Sequence, residues 1–202
     1  MNAKSKTIAL TVALTVALLV LAGPGQAEEA KKAPSPAELL KVLAENGKPG
    51  PEHKKLEPFV GEWTFTLKLW TNPNDSPAEA TGTVERKWIM GGRFVQETVK
   101  GTCGDKSFEG MGLLGYDNAQ KKFSATRVCG LCGKVSSSLG TISDSDKKLE
   151  FATEEYCPVC KENIKGRDEI VIESKDKIVV SVYKTMKGKE VKLIEIVNVR
   201  KK

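Results

Sequence analysis

From Glu62 onward, apolar and polar side chains alternate with a period of two. Trp63, Phe65, Leu67 and Leu69 are separated by Thr64, Thr66 and Lys68, and Ile178, Val180 and Val182 repeat the pattern further on. Turn-forming clusters interrupt this alternation at near-regular intervals: "TNPNDSP", "GG" at 91, "CGDK", "YDNAQ", "CGLCG", "SDSDKK", "YCPVCKEN", "SKDK" and "KGKE". Nine such turns divide the segment into ten strands. No stretch long enough for a crossover helix separates them, so the pattern predicts an up-and-down antiparallel meander. Ten hairpin-linked strands exceed what an open twisted sheet usually carries, and closure removes the aggregation-prone edges. The expected fold is therefore all-β with short N-terminal helices: a ten-stranded, lipocalin-like (calycin-like) barrel, closed or nearly closed, with the helices against one end or flank.

The first 60 residues follow other rules. Lys4 and Lys6 form a basic start, Ile8 to Leu21 is almost unbroken apolar sequence, and Gly23-Pro24-Gly25 precedes the small residue Ala27. This predicts a secretory signal peptide over residues 1–27 and an exported, periplasmic or extracellular protein. A helix over the apolar run would be about 21 Å long against the ~30 Å of a hydrocarbon core, too short for a span. "EEAKKAPS" (28–35) is a polar tether, and Ser35-Pro36-Ala37-Glu38 has the form of a helix start. Leu39, Leu40, Val42 and Leu43 make one apolar face before Asn46-Gly47 ends the helix. The tether and helix occupy 28–50 and the barrel domain 51–202, with "PEHKKLEPFVG" delivering Leu56 and Phe59 to the core.

Charge narrows the function classes. Without the two lysines of the signal segment, 30 basic side chains face 26 acidic ones. Lysines alternate with acids, as in "KKLEFATEEY", so no basic stripe offers a path for nucleic acid. After cleavage no membrane span is expected. The chain has one histidine, His53, in a charged helical piece, where it reads as a surface residue and is unaccompanied by a nucleophile motif. "GMGLLG" lacks the lysine of a phosphate loop and leads into a strand, so its glycines read as places where neighbouring strands curve tightly.

"GEWTF" (61–65), "WIMGGRFVQE" (88–97) and "FEGMGLLGYDNAQKKF" (108–123) together resemble the bacterial family called domain of unknown function 1579, over about Pro51 to Arg200. The resemblance implies a small, in some members exported, lipocalin-like β-barrel with no established activity. The sequence departs from that pattern after "QKKF". Where an acidic, Trp-containing segment would be expected, it carries "RVCGLCGK" and later "EEYCPVCKEN".

Those cysteines carry the concentrated chemistry. Hairpin loops of a meander alternate between the two barrel ends, which puts Cys103, the Cys129/Cys132 pair and the Cys157/Cys160 pair on successive loops of one rim. Two facing Cys-x-x-Cys turns, here with 24 residues between Cys132 and Cys157, can offer zinc four thiolates. An oxidising compartment favours disulfides instead. A bridge inside one pair would contribute only about 2 kcal/mol by chain entropy, against about 3.6 kcal/mol for one linking the pairs. A third reading is thiol–disulfide exchange, since "CPVC" has the oxidoreductase form, but a strand follows it where such sites need a helix N-terminus. Cys103 is left as a free or auxiliary thiol.

Four charged residues interrupt apolar strand faces: Arg86 between Val84 and Trp88, Arg127 after Phe123 and Ala125, Asp168 before Ile170, and Glu195 between Leu193 and Val197. They are either a charged floor for a ligand or mutually neutralising pairs. The sequence thus reads as an exported, non-catalytic β-barrel, ligand-binding or structural, with an unidentified small molecule as its partner and Cys129, Cys132, Cys157 and Cys160 as a rim site for zinc or disulfides. A thiol oxidoreductase and a protein-interaction module presenting the cysteine rim are the alternatives.

Overall fold

The computed structural model describes residues 33–202. The segment expected to be a signal peptide, and most of the tether after it, lie outside the described residues. Helix α1 (Pro36–Asn46), the single turn α2 (Pro51–Lys54) and a 3-10 turn (Glu57–Phe59) precede ten strands. These are β1 (Gly61–Leu69), β2 (Ala78–Ile89), β3 (Phe94–Cys103), β4 (Lys106–Asp117), β5 (Lys122–Cys129), β6 (Lys134–Ile142), β7 (Lys148–Cys157), β8 (Glu162–Ser174), β9 (Lys177–Met186) and β10 (Lys189–Arg200). Each strand pairs antiparallel with the next, and β1 closes on β10 from Trp63 opposite Arg200 to Leu69 opposite Ile194. The result is a closed up-and-down barrel of ten strands, as the alternation and turn spacing predict.

One end is sealed. Trp63, Phe123, Leu149, Phe151 and Ile178 are fully buried there with Leu56 from the segment before β1, and Phe59 joins them. The hairpins of this end hold the N-terminal segment through polar contacts. Asn118 donates to the carbonyls of Asn46 (2.7 Å) and Lys48 (2.9 Å), Arg93 Nε donates to Gly47 O (2.6 Å), and Lys55 pairs with Asp146 (3.1 Å). From β10, Arg200 donates to the carbonyls of Pro58 and Val60 and stacks over the Trp63 ring, 4.1 Å from its centroid.

Two features depart from the sequence reading. His53 is buried: its Nδ1 accepts the N–H of Gly50 at 3.0 Å and its ring meets Tyr116 edge-on. Of the charged neighbours that suggest a surface site, Lys54 is exposed and Glu52 and Lys55 are half-buried. Helix α1 forms where expected, yet Leu39, Leu40, Val42 and Leu43 are all exposed. Its amphipathic pattern correctly signals a helix without specifying what would cover it.

Inside the wall, Gly82 and Gly101 face each other across β2 and β3. A Cβ on Gly101 would fall 2.6 Å from Phe108 and 2.8 Å from Phe65, so the missing side chains make room for two aromatic rings.

We expect Gly101→Val to destabilise the barrel by about 1–3 kcal/mol through overpacking, seen as a lower urea midpoint with unchanged m-value. His53 supplies a pH signature. Burial, then the Arg93 charge, lower its pKa below the ordinary value. As the pH falls through about 6.5, the unfolded chain takes up a proton that the fold resists. Its contribution is therefore fully present above that pH and is lost on acidification towards the folded pKa. Unfolding followed between neutral and mildly acidic pH should show a shallower decline in His53→Gln than in wild type.

Candidate functional site in the barrel lumen and at its open rim

Alternation along the strands decides which side chains reach the interior. Val84 and Arg86 on β2 face inward, as do Val95, Glu97 and Val99 on β3, Ala125, Arg127 and Cys129 on β5, and Ile194, Ile196 and Asn198 on β10. Above the packed end these residues enclose a cavity of about 360 Å³ reaching from Arg86 and Asn198 to Cys129 at the rim. Its walls are mainly apolar, with Phe65, Leu67, Val84, Phe108, Val180 and Ile196 among them.

The cavity floor is polar. Arg86 Nε donates to Glu97 Oε2 at 2.6 Å, and its Nη2 donates to Asn198 Oδ1 at 3.2 Å. Asn198 in turn donates to Ile178 O, and the guanidinium sits 5.7 Å from the Trp63 ring centroid. The remaining nitrogen, Nη1, is buried with no hydrogen-bond partner. A second pair, Arg127–Asp168, joins β5 to β8 across the intervening two strands. It borders a slot of about 310 Å³ between β6 and β7, lined also by Ser136, Ser138, Thr153 and Glu155.

Of the charged residues singled out from the sequence, Arg86, Arg127 and Asp168 lie at the lumen or its slot. Glu195 does not: Ile194, Ile196 and Asn198 take the inward positions of β10, and Glu195 pairs with Lys192. Both faces of "VKLIEIVNV" are apolar enough to be read as inward, and an irregularity between Lys192 and Ile194 resets the phase. Sequence reasoning missed Glu97 and Asn198. Glu97 between Val95 and Val99 carries the same signal that singled out Arg86. Asn198 is concealed by the β10 ambiguity.

All five cysteines lie at the open end, on the hairpins joining β3 to β4, β5 to β6 and β7 to β8. All five are free thiols. The two Cys-x-x-Cys turns are built alike. The N–H of Cys132 donates to Cys129 Sγ (3.3 Å) and that of Cys160 to Cys157 Sγ (3.2 Å). Each turn ends in a left-handed residue, Gly133 (φ 61°) or Lys161 (φ 60°). The same turn occurs between β4 and β5, where Asp117 Oδ1 accepts the N–H groups of Ala119 and Gln120 and Lys121 is left-handed. The cysteines thus stand where this backbone holds an anion. Burial opposes ionisation of Cys129, but the Cys132 thiol, the N–H groups of Cys132 and Leu131 and the Lys134 charge outweigh it and lower its pKa. The N–H and thiol of Cys160 do the same for Cys157. The second cysteine of each pair is raised, because its thiol donates to the first. Among the described residues no group of three or more His, Cys, Asp or Glu is drawn together tightly enough to hold a metal.

A family model described as a protein of unknown function, DUF1579, matches residues 48–200. The chain belongs to the DUF1579 family. No curated protein matches it. Among solved structures, a redesigned β-barrel aligns with a TM-score of 0.39 at 10% identity, covering 73% of this chain and 96% of that one. No helix among the described residues of this DUF1579 chain is long and apolar enough to cross a membrane.

The Arg127–Asp168 pair gives an asymmetric prediction for the DUF1579 barrel. Asp168 is buried, at 5% side-chain exposure, whereas Arg127 keeps 38%. Removing Asp168 leaves a cation that can turn to water, but removing Arg127 strands a carboxylate. Arg127→Met should cost about 3 kcal/mol and Asp168→Asn about 1 kcal/mol, with the double variant recovering part of the loss in a urea-unfolding cycle.

Proposed function

We propose that this protein is an exported, non-catalytic carrier that binds a small, mostly apolar molecule in the barrel lumen. The observation that carries this reading is the partnerless Arg86 Nη1 at the floor of an apolar cavity. A buried donor without a partner costs about 1–3 kcal/mol, and a turn of the Arg86 guanidinium towards the cavity it lines would let a ligand oxygen remove that cost. The lumen has the profile of a small-molecule site: apolar walls with few polar groups, one of them unsatisfied.

Charge selects the oxygen. Glu97 already neutralises Arg86 at 2.6 Å, so a carboxylate ligand would gain from Arg86 and lose to Glu97. A neutral acceptor, such as the carbonyl of a ketone, ester or amide, keeps the gain alone. The ligand class is therefore an aliphatic or alicyclic body with a neutral oxygen acceptor at one end. Catalysis is not part of this reading, since the floor presents a donor and a closed ion pair but no nucleophile beside a base.

The test is displacement of a fluorescent apolar probe by a matched series: a medium-chain methyl ketone, the alkane of equal length and the corresponding carboxylate. The ketone should bind about tenfold more tightly than the alkane, and the carboxylate no better than the ketone. In Arg86→Met/Glu97→Gln, which leaves no stranded charge, the ketone advantage should vanish while alkane binding persists. Absence of binding by the whole series, or a ketone advantage that survives the double variant, would refute the assignment.

A further inference from the structure

The barrel wall is not uniformly zipped. Strands β5 and β6 pair out to Cys129 opposite Lys134, and β7 and β8 out to Cys157 opposite Glu162. Between them, β6 and β7 pair only where Gly140, Thr141 and Ile142 face Phe151, Glu150 and Leu149, all near the sealed end. From there to the rim the two strands share no ladder, and the slot lies between them. Its edges carry Ser136, Ser138, Thr153 and Glu155, with Val135 and Tyr156 as the larger apolar groups beside them, so mostly polar side chains line the gap. Lys134 reaches across to Glu155 at 3.1 Å.

The existing register states what closure would do. Continued towards the rim, it sets Ser138 against Thr153, Ser136 against Glu155 and Lys134 against Cys157. That brings the "CGLC" turn beside the "CPVC" turn, on adjacent strands about 4.8 Å apart. Each turn already holds its first sulfur under backbone N–H groups, so only the approach of the turns separates this geometry from a four-sulfur site. Four thiolates arranged in this way select a soft-tolerant tetrahedral ion. Lys134 and Lys161 flank the turns and offset the double negative charge that one zinc with four thiolates would carry.

We propose that Cys129, Cys132, Cys157 and Cys160 bind one Zn²⁺ between them, and that this clasp zips β6 to β7 and shuts the slot as a side door to the lumen. The thiols release their protons as the metal binds and no electrons move. The door's effect on ligand traffic rests on the lumen-binding reading; the clasp and the zipping do not.

The reduced chain is titrated with zinc alone against a chromophoric chelator, and amide hydrogen exchange is followed in 134–139 and 152–157. One zinc per chain is expected, with exchange in those two segments slowed about tenfold or more while the opposite barrel end is unchanged. Cobalt in place of zinc should give the intense visible bands of a tetrahedral thiolate site. Cys132→Ser should lose both the tight metal and the protection. A disulfide engineered as Ser137→Cys/Glu154→Cys, across the extended register, should reproduce the protection without metal. No metal binding, two metals bound independently by the two turns, or one metal bound with exchange unchanged would each overturn the proposal. With the methyl ketone loaded, zinc should slow its escape about twofold, since the open rim remains a second exit, and an unchanged escape rate would overturn the side door. If no lumen ligand binds but zinc still protects the seam, the carrier reading fails and the clasp stands.

Discussion

Everything in this molecule depends on β1 finding β10. That ladder joins segments more than a hundred residues apart and converts a meander with two sticky edges into a wall with none. It also places Arg200 over Trp63 and beneath the turn that precedes β1, so the contact that closes the barrel also anchors the segment that seals one end. Contacts of such long sequence separation form late and slowly, because much chain entropy is lost before they form. The short-range hairpins are the natural early structures.

Closure leaves the two halves of the wall chemically unlike. Strands β9, β10, β1 and β2 line the interior mostly with branched and aromatic residues, whereas β5 to β8 bring Arg127, Ser136, Ser138, Thr153, Glu155 and Asp168 to the lumen and its slot. The apolar half is cohesive because burial drives it. The polar half is held by ladders and ion pairs, and where the ladder stops at β6 and β7 the Lys134–Glu155 pair spans the gap in its place. Lys134 and Lys184 both reach Glu155, so the carboxylate that faces the seam from β7 is paired. They also hold the Glu155 carboxyl below its ordinary pKa, against the opposing effect of burial.

Most of the architecture was legible because two strong signals agree: alternation marked the strands, and each turn carried its own Gly, Asn, Asp or Pro. The rim location of the cysteines followed from counting hairpins alone. The lost information had physical causes. Glu195 reads as inward because β10 is apolar on both faces, and it turns outward because the phase slips at Leu193. His53 reads as a surface residue because a four-residue turn buries this one side chain and leaves Glu52 half-buried and Lys54 exposed, a distinction that charge patterning over so short a stretch does not make. The open seam left no trace, since "KVSSSLG" and "FATEEYC" each alternate as a paired strand would. Whether two strands pair along their whole length is a property of the closed wall, not of either sequence.

The shared turn at Asp117, Cys129 and Cys157 has an implication for how such a protein can change. In all three the backbone fixes a pocket of N–H groups before the side chain that fills it is chosen. Carboxylate and thiolate are interchangeable there as far as the chain path is concerned, and the residue closing the turn need only tolerate a left-handed conformation. The hairpin tips at either end can therefore be refitted one socket at a time, with sulfur or with oxygen, while the staves between keep their register. A frame of this kind lets the chemistry at the hairpin tips change without disturbing the wall that carries the core.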